Sequence, residues 1–262
     1  MGRIISIANQ KGGVGKTTTT INLSASLAML GKKVLTIDMD PQGNATSGMG
    51  IDKNNLENTV YNMLLGECAY EDILCETCVD NLKMLPANIN LSGAEVELIL
   101  FEEREYRLKK VLDLQKDKFD FIIIDCPPSL NVLTLNALTA SDTVLVPIQC
   151  EYFALEGLTQ LLHTIGLVKE KLNPTLAVEG VAFTMYDSRV NISMQVVDEV
   201  NEHLEKDTYK AIIPRNVRLS EAPSHGLPIT VYDPKSKGAE GYMNLAKSVA
   251  KKERGRWQQR KD

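Results

Sequence analysis

Residues 11–18 read Lys-Gly-Gly-Val-Gly-Lys-Thr-Thr, between an apolar run from Ile4 to Ala8 and a helical pattern from Thr17 to Leu30. A strand, a glycine-rich turn and a helix in that order constrain the fold strongly. Glycines let successive backbone N–H groups turn inward, and the helix start adds its positive dipole end, which together make a cradle for polyphosphate. This is the P-loop context. Gly12, Gly13, Val14 and Gly15 would wrap the phosphates, Lys16 would reach the β- and γ-phosphates, and the Thr17 hydroxyl would ligate Mg²⁺ with Thr18 beside it. The usual pattern has glycine six residues before that lysine. Here position 10 is Gln, and a second lysine, Lys11, follows it.

A loop wrapped closely around phosphate has little room for two ammonium groups from one chain on the same oxygens. Lys11, at the loop's entrance, can instead project outward, toward a nucleotide held by a second subunit; the plainer alternative is a solvated lysine helping its own phosphate.

Two acidic strand ends complete the arrangement. Asp38-Met39-Asp40-Pro41-Gln42-Gly43-Asn44 closes the second apolar run, and strand ends in such sheets face the ligand crevice. A carboxylate there can orient or deprotonate an attacking water. Phe121-Ile122-Ile123-Ile124-Asp125 has the Walker B form, four apolar residues delivering an acid to Mg²⁺. Cys126-Pro127-Pro128-Ser129 follows, and its two prolines stiffen a loop suited to sensing the γ-phosphate.

The rest of the chain alternates apolar runs with helical patterns. That predicts an α/β fold, a doubly wound, mostly parallel sheet with helices on both faces, as one P-loop domain over residues 1–262. Strands are predicted at 3–8, 33–38, 82–85, 119–125, 143–147, 176–184 and 211–213. Helices are predicted at 17–30, 56–64, 91–100, 103–115, 130–139, 154–171, 192–206 and 238–251, with Gly31 ending the first. The stretch 43–78 is the least regular. Aromatic residues make up 5% of the chain, so Ile, Leu and Val must carry the packing.

No run of about 18 apolar residues occurs and the N-terminus lacks a signal-peptide layout, so a cytoplasmic protein is expected. Five cysteines, an odd number, argue for reduced thiols. Cys75-Glu-Thr-Cys78 without a second pair is weak evidence for a metal and reads as incidental in a helix–loop segment. His163, His203 and His225 are scattered. The net charge is −5, yet Lys247, Lys251, Lys252, Arg254, Arg256, Arg260 and Lys261 crowd a basic tail at 247–262 against two acids. Such a tail is usually a solvated helix end, and it can also meet phosphate backbones.

The chain resembles ParA ATPases of the short chromosomal Soj type, within the deviant Walker A group that also holds MinD and the nitrogenase iron protein. The likeness runs from residue 3 to about 250. It rests on the motifs above, on 151–157 (EYFALEG), on 184–189 (TMYDSR) and on 213–222 (IPRNVRLSEA). The resemblance implies a slow ATPase switch using ATP and Mg²⁺. Lys11 would cross the interface of an ATP-bound homodimer, Asp40 would serve hydrolysis, and Asp38 would lie near the metal. It places Met185, Ile213, Pro214 and Asn216 around adenine, and Glu151, Tyr152 and Phe153 at the dimer interface. Non-specific double-stranded DNA would meet Arg189, Arg218, Lys247, Lys251, Lys252 and Arg254, and a ParB-type centromere-binding partner would trigger hydrolysis on the nucleoid. A MinD-like membrane cycle needs an amphipathic C-terminal helix, and the tail offers Val249 and Trp257 without an apolar stripe, so no membrane partner is expected. An iron–sulfur cluster carrier is the more distant alternative, with Cys75 and Cys78 as its only spaced thiols.

Overall fold

The computed structural model describes residues 2–151, 154–203 and 209–259, with backbone alone for 154–156, 201, 203, 209–210 and 252–259. The chain runs β1 (Arg3–Ile7), α1 (Lys16–Met29), β2 (Val34–Asp38), α2 (Asn44–Gly48), α3 (Val60–Leu65), β3 (Cys75–Glu76), β4 (Leu82–Leu85), α4 (Ala94–Glu97), α5 (Arg107–Gln115) and β5 (Phe121–Asp125). It continues through α6 (Val132–Ala140), β6 (Thr143–Gln149), α7 (Ala154–Lys171), β7 (Ala177–Tyr186), α8 (Asn191–His203), β8 (Tyr209–Pro214), α9 (Val217–Glu221), α10 (Ile229–Tyr232) and α11 (Lys237–Gln259).

The strands form a single sheet in the order β3-β4-β2-β5-β1-β6-β7-β8. All pairings are parallel except β3 with β4. Parallel strands joined by helices need cover on both faces, and the residues supply it by alternation. On β5, Ile122 and Ile124 enter one core, while Phe121 and Ile123 enter the other. On β1, Ile4 faces the first core, and Ile5 and Ile7 face the second. The chain leaves β1 in one direction toward β2 and in the other toward β6, β7 and β8. The C-terminal end of β1 therefore sits at the switch point, where such sheets leave a crevice.

Gly31 ends α1 as expected. It takes φ +78°, its N–H donates to Ala28 O at 2.8 Å, and Lys32 N–H donates to Leu27 O at 3.2 Å, a Schellman closure.

Several boundaries differ from the sequence expectation, each for a local reason. The helix expected from residue 56 begins at Val60, because Thr59 caps it and Asn62 reaches back to the Thr59 N–H. The helix expected over 91–100 is split into 3₁₀ turns flanking the single α turn of α4. Glu103 sits at φ +52°, a left-handed conformation that cannot continue a helix, so α5 starts only at Arg107 after a 3₁₀ turn. Asn131 accepts from the N–H groups of Leu133 and Thr134 and sets the start of α6 at Val132. The last helix runs on to Gln259. An eighth strand, β3, was not foreseen, since two residues are too few to show a pattern. It puts Cys75 on a strand rather than in a helix–loop segment, pairing it with Met84.

Candidate nucleotide and metal site

The loop after β1 has the backbone its glycines permit. Gly13 and Gly15 take φ +75° and +86°, which side-chain-bearing residues resist. A Cβ at residue 12 or 13 would meet nothing within 4 Å, so both face open space. At Gly15 it would stand 3.4 Å from Thr184 Cγ2. Gly15 caps α1 with no side-chain acceptor, leaving the first N–H groups of that helix for a ligand.

Lys16 is buried and its Nζ donates to the Lys11 carbonyl at 3.0 Å, so the loop curls over its own ammonium. Burial lowers the Lys16 pKa, and the charges of Asp125, Cys126 and Asp40 pull the other way. Lys11 lies elsewhere: its Nζ forms a 2.9 Å ion pair with Glu151 Oε2 at the loop's mouth. Glu151 also accepts from the Gln149 side chain. Tyr152 and Phe153 lie outside the described residues.

Asp38 and Asp125 end adjacent strands as direct register partners. Both are fully buried, and both carboxyls are held well above the usual range by burial; for Asp125 the neighbouring Asp38 adds to this. Their hydrogen bonds separate their roles. Asp38 Oδ2 accepts from Thr46 N at 2.9 Å and Thr46 Oγ1 at 2.7 Å, and Asp38 Oδ1 accepts from Asp40 N at 3.1 Å. Its lone pairs hold the 39–46 turn in place, which makes it a support for that turn. Asp125 Oδ1 accepts from Thr20 Oγ1 at 3.0 Å, while Oδ2 is buried with no hydrogen-bond partner. An orphaned buried carboxylate oxygen beside the first turn of α1 suits a cation. The Thr17 hydroxyl lies close enough to act on the same carboxyl. Among the described residues no group of three or more His, Cys, Asp and Glu is placed to hold a metal. A magnesium ion held by Asp125 and Thr17 would thus need phosphate oxygens and water for the rest of its shell.

Asp40 is largely buried, and its Oδ1 accepts from Gln42 N at 2.9 Å. Gly43 follows at φ +59°, where a Cβ would fall 2.6 Å from Ala87 O. That close approach, more than turn chemistry, demands glycine. Thr20 lies in the first helical pattern of the sequence and Thr46 in its least regular stretch, and neither of these threonines, which bond to the two aspartates, carries a motif. Only the carboxylates they bond to would have exposed them.

The residues expected around adenine gather at the C-terminal ends of β7 and β8, where Tyr186 pairs with Pro214. Met185 is partly exposed at φ +51°, Asn216 caps α9 by accepting from Arg218 N, and Pro214 is half-buried. Ile213 is 1% exposed and belongs to the core beneath, near Gly241 and Tyr242, so it backs this rim. Thr184 Oγ1 donates to Val14 O at 2.8 Å, fastening β7 to the phosphate loop.

Of the basic residues, Arg189 and Arg218 are exposed, and each is engaged by same-chain carboxylates. Lys247 and Lys251 are exposed on α11; the side chains of Lys252 and Arg254 lie outside the described residues. Cys75 is half-buried, with Sγ 3.6 Å from Ile73 O, and Cys78 is exposed. No described helix is long and apolar enough to cross a membrane.

Residues 2–178 match the protein family described as an AAA domain. The chain is 58% identical over 250 residues to the sporulation initiation inhibitor protein Soj of Bacillus subtilis, covering 95% of this chain and 99% of that protein. It is 55% identical over 253 residues to the chromosome partitioning protein ParA of Myxococcus xanthus, covering 97% and 89%. Among solved structures it is similar to that named cobyrinic acid a,c-diamide synthase from Mycobacterium smegmatis, with bound ATP analog and magnesium. That likeness has TM-score 0.84 and 41% identity, covering 95% of each chain.

Proposed function

Because this chain belongs to the Soj/ParA family of chromosome-partitioning proteins, we propose that it is a Mg²⁺-dependent ATPase whose ATP-bound form pairs face to face and binds DNA without sequence preference. The observation that carries the reading is the division of labour between two lysines. Lys16 is buried inside the loop, and Lys11 stands at its mouth on Glu151.

On binding ATP, the Lys16 ammonium exchanges the Lys11 carbonyl for phosphate oxygens. The α1 N–H groups and those of residues 12–15 supply the remaining donors. Mg²⁺, when bound, neutralises phosphate charge beside Asp125 and Thr17. Asp40 orients the attacking water and accepts its proton, held there by the turn that Asp38 and Thr46 support. Lys11 leaves Glu151 for the nucleotide of the second subunit, so pairing and hydrolysis are coupled. A ParB-type partner bound at a centromere-like site stimulates a slow intrinsic turnover and releases the dimer from the nucleoid. Arg189, Arg218, Lys247, Lys251, Lys252 and Arg254 contact DNA phosphates, and pairing doubles each contact along one duplex.

The test is duplex binding by the purified chain with ATP and Mg²⁺, with ADP, and without nucleotide. Binding only with ATP, steeply weakened by salt, is expected. Equal binding in all three conditions would sink the switch.

A further inference from the structure

The loops that follow β7 and β8 meet where the Arg215 N–H donates to the Tyr186 carbonyl at 3.0 Å. That contact sets exposed Arg215 on the strand end next to the Asp187 loop; hydrogen bonding by Arg189 holds the Asp187 carboxyl below the usual range, with the Arg215 charge a minor contribution. Asp187 is already clasped. Its Oδ1 accepts from Arg189 N at 3.0 Å and Arg189 Nε at 2.9 Å, and its Oδ2 accepts from Arg189 Nη2 at 2.6 Å. A carboxylate in the fork of a guanidinium has the form of an arginine phosphate clasp with an internal anion inside. The Arg189 side chain is 86% exposed and that of Asp187 only 21%. The acid is thus the anchored member and the guanidinium is presented to solvent. Arg218 repeats the theme, with Glu221 at 2.7 Å and Asp233 at 3.6 Å.

We propose that Arg215 is a further phosphate-contacting residue of the DNA face, and that Asp187 is a built-in competitor holding its neighbour Arg189 until a backbone phosphate displaces it. The inference rests on the DNA-binding reading above. Exposed ion pairs are weak, so each displacement lowers affinity by at most about fivefold. Such a device does not block binding. It weakens each subunit's hold by the same factor, which leaves a lone subunit, with few phosphate contacts, too little affinity to stay on DNA. The acid also stands three residues from Thr184, whose hydroxyl is fastened to the phosphate loop at Val14. Loop and clasp therefore share one short segment, with Met185 at φ +51° between them.

The experiment uses the full chain and a fluorescent mixed-sequence duplex, read by anisotropy across a salt series, with a non-hydrolysable ATP analogue and Mg²⁺ and again without nucleotide. Asp187→Asn removes the charge but keeps an acceptor for the Arg189 N–H. It is expected to tighten binding about two- to fivefold per subunit, and so by about four- to twenty-five-fold for the analogue-bound pair on one duplex. Arg215→Ala is expected to weaken binding and reduce the salt slope by about one per subunit. Asp187→Ser serves as a second replacement should the Asn variant melt below the parent. Unchanged or weaker binding by a folded Asp187 variant overturns the competitor, and a parental slope for Arg215→Ala removes that residue from the face. A parent that shows no ATP-dependent duplex binding overturns the underlying reading as well; a parent that binds, with both variants matching it, overturns this inference alone.

Discussion

Thr46 offers a sharp test of how the 39–46 turn is held. Its hydroxyl donates to Asp38 Oδ2 at 2.7 Å and accepts from Ala87 N at 2.9 Å, and both partners are buried. Thr46→Val keeps the shape and deletes both bonds. A buried hydrogen bond to a carboxylate contributes about 1.5–3 kcal/mol, and a buried N–H left without an acceptor costs about 1–3 kcal/mol. The main-chain bond from Thr46 N to Asp38 survives, so the loss is set at about 3–5 kcal/mol. For a chain of this size each kcal/mol lowers the melting temperature by about 2–4 °C, giving a drop of roughly 6–20 °C. Thr46→Ser, which retains the hydroxyl, should recover most of it. Thermal unfolding followed by circular dichroism, with ATPase rates measured well below the transition, separates stability from chemistry. If Thr46→Val melts within about 2 °C of the parent, the assignment of Asp38 as the support of this turn is wrong.

Three further expectations follow from the same geometry. Gly43→Ala forces a left-handed alanine whose Cβ meets Ala87 O, so a destabilisation of about 1–3 kcal/mol is expected in urea titration; parental stability would show that the turn relaxes freely. Lys11→Ala should leave ATP binding to the single chain within a few-fold but abolish ATP-dependent pairing in light scattering, and persistent dimer would refute the outward role of this lysine. Burial raises the Asp125 pKa, so its neutral form favours the metal-free fold at low pH and that contribution is lost as pH rises through the raised value. Metal binding needs the ionised form. The stabilisation that Mg²⁺ adds to that of nucleotide should therefore grow from acid to neutral pH and disappear in Asp125→Asn, with the opposite slope counting against the site.

The layered sheet and the phosphate loop were legible because their signals are local and repeated. Apolar runs of four to six residues, glycines at fixed offsets and acids at strand ends each appear within a few positions. What escaped was non-local or too short. Thr20 and Thr46 act through residues 105 and 8 positions away, so nothing beside them in the chain marks them. The distinct duties of Asp38 and Asp125 depend on which oxygen finds a partner, which only the folded turn decides. Helix starts at Val60 and Val132 were set by Thr59 and Asn131, capping residues readable in principle but outweighed by the apolar pattern upstream of them. At position 43 it is the carbonyl of Ala87, distant in the chain, that excludes a side chain.

The two-residue strand β3 has a consequence for how copies of the chain meet one another. It runs against its neighbour and covers one flank of an otherwise parallel ladder. Open β edges invite copies of a chain to stack into aggregates. A stub that reverses direction and ends after two residues gives an incoming strand almost no template, so fibre growth from that flank is disfavoured.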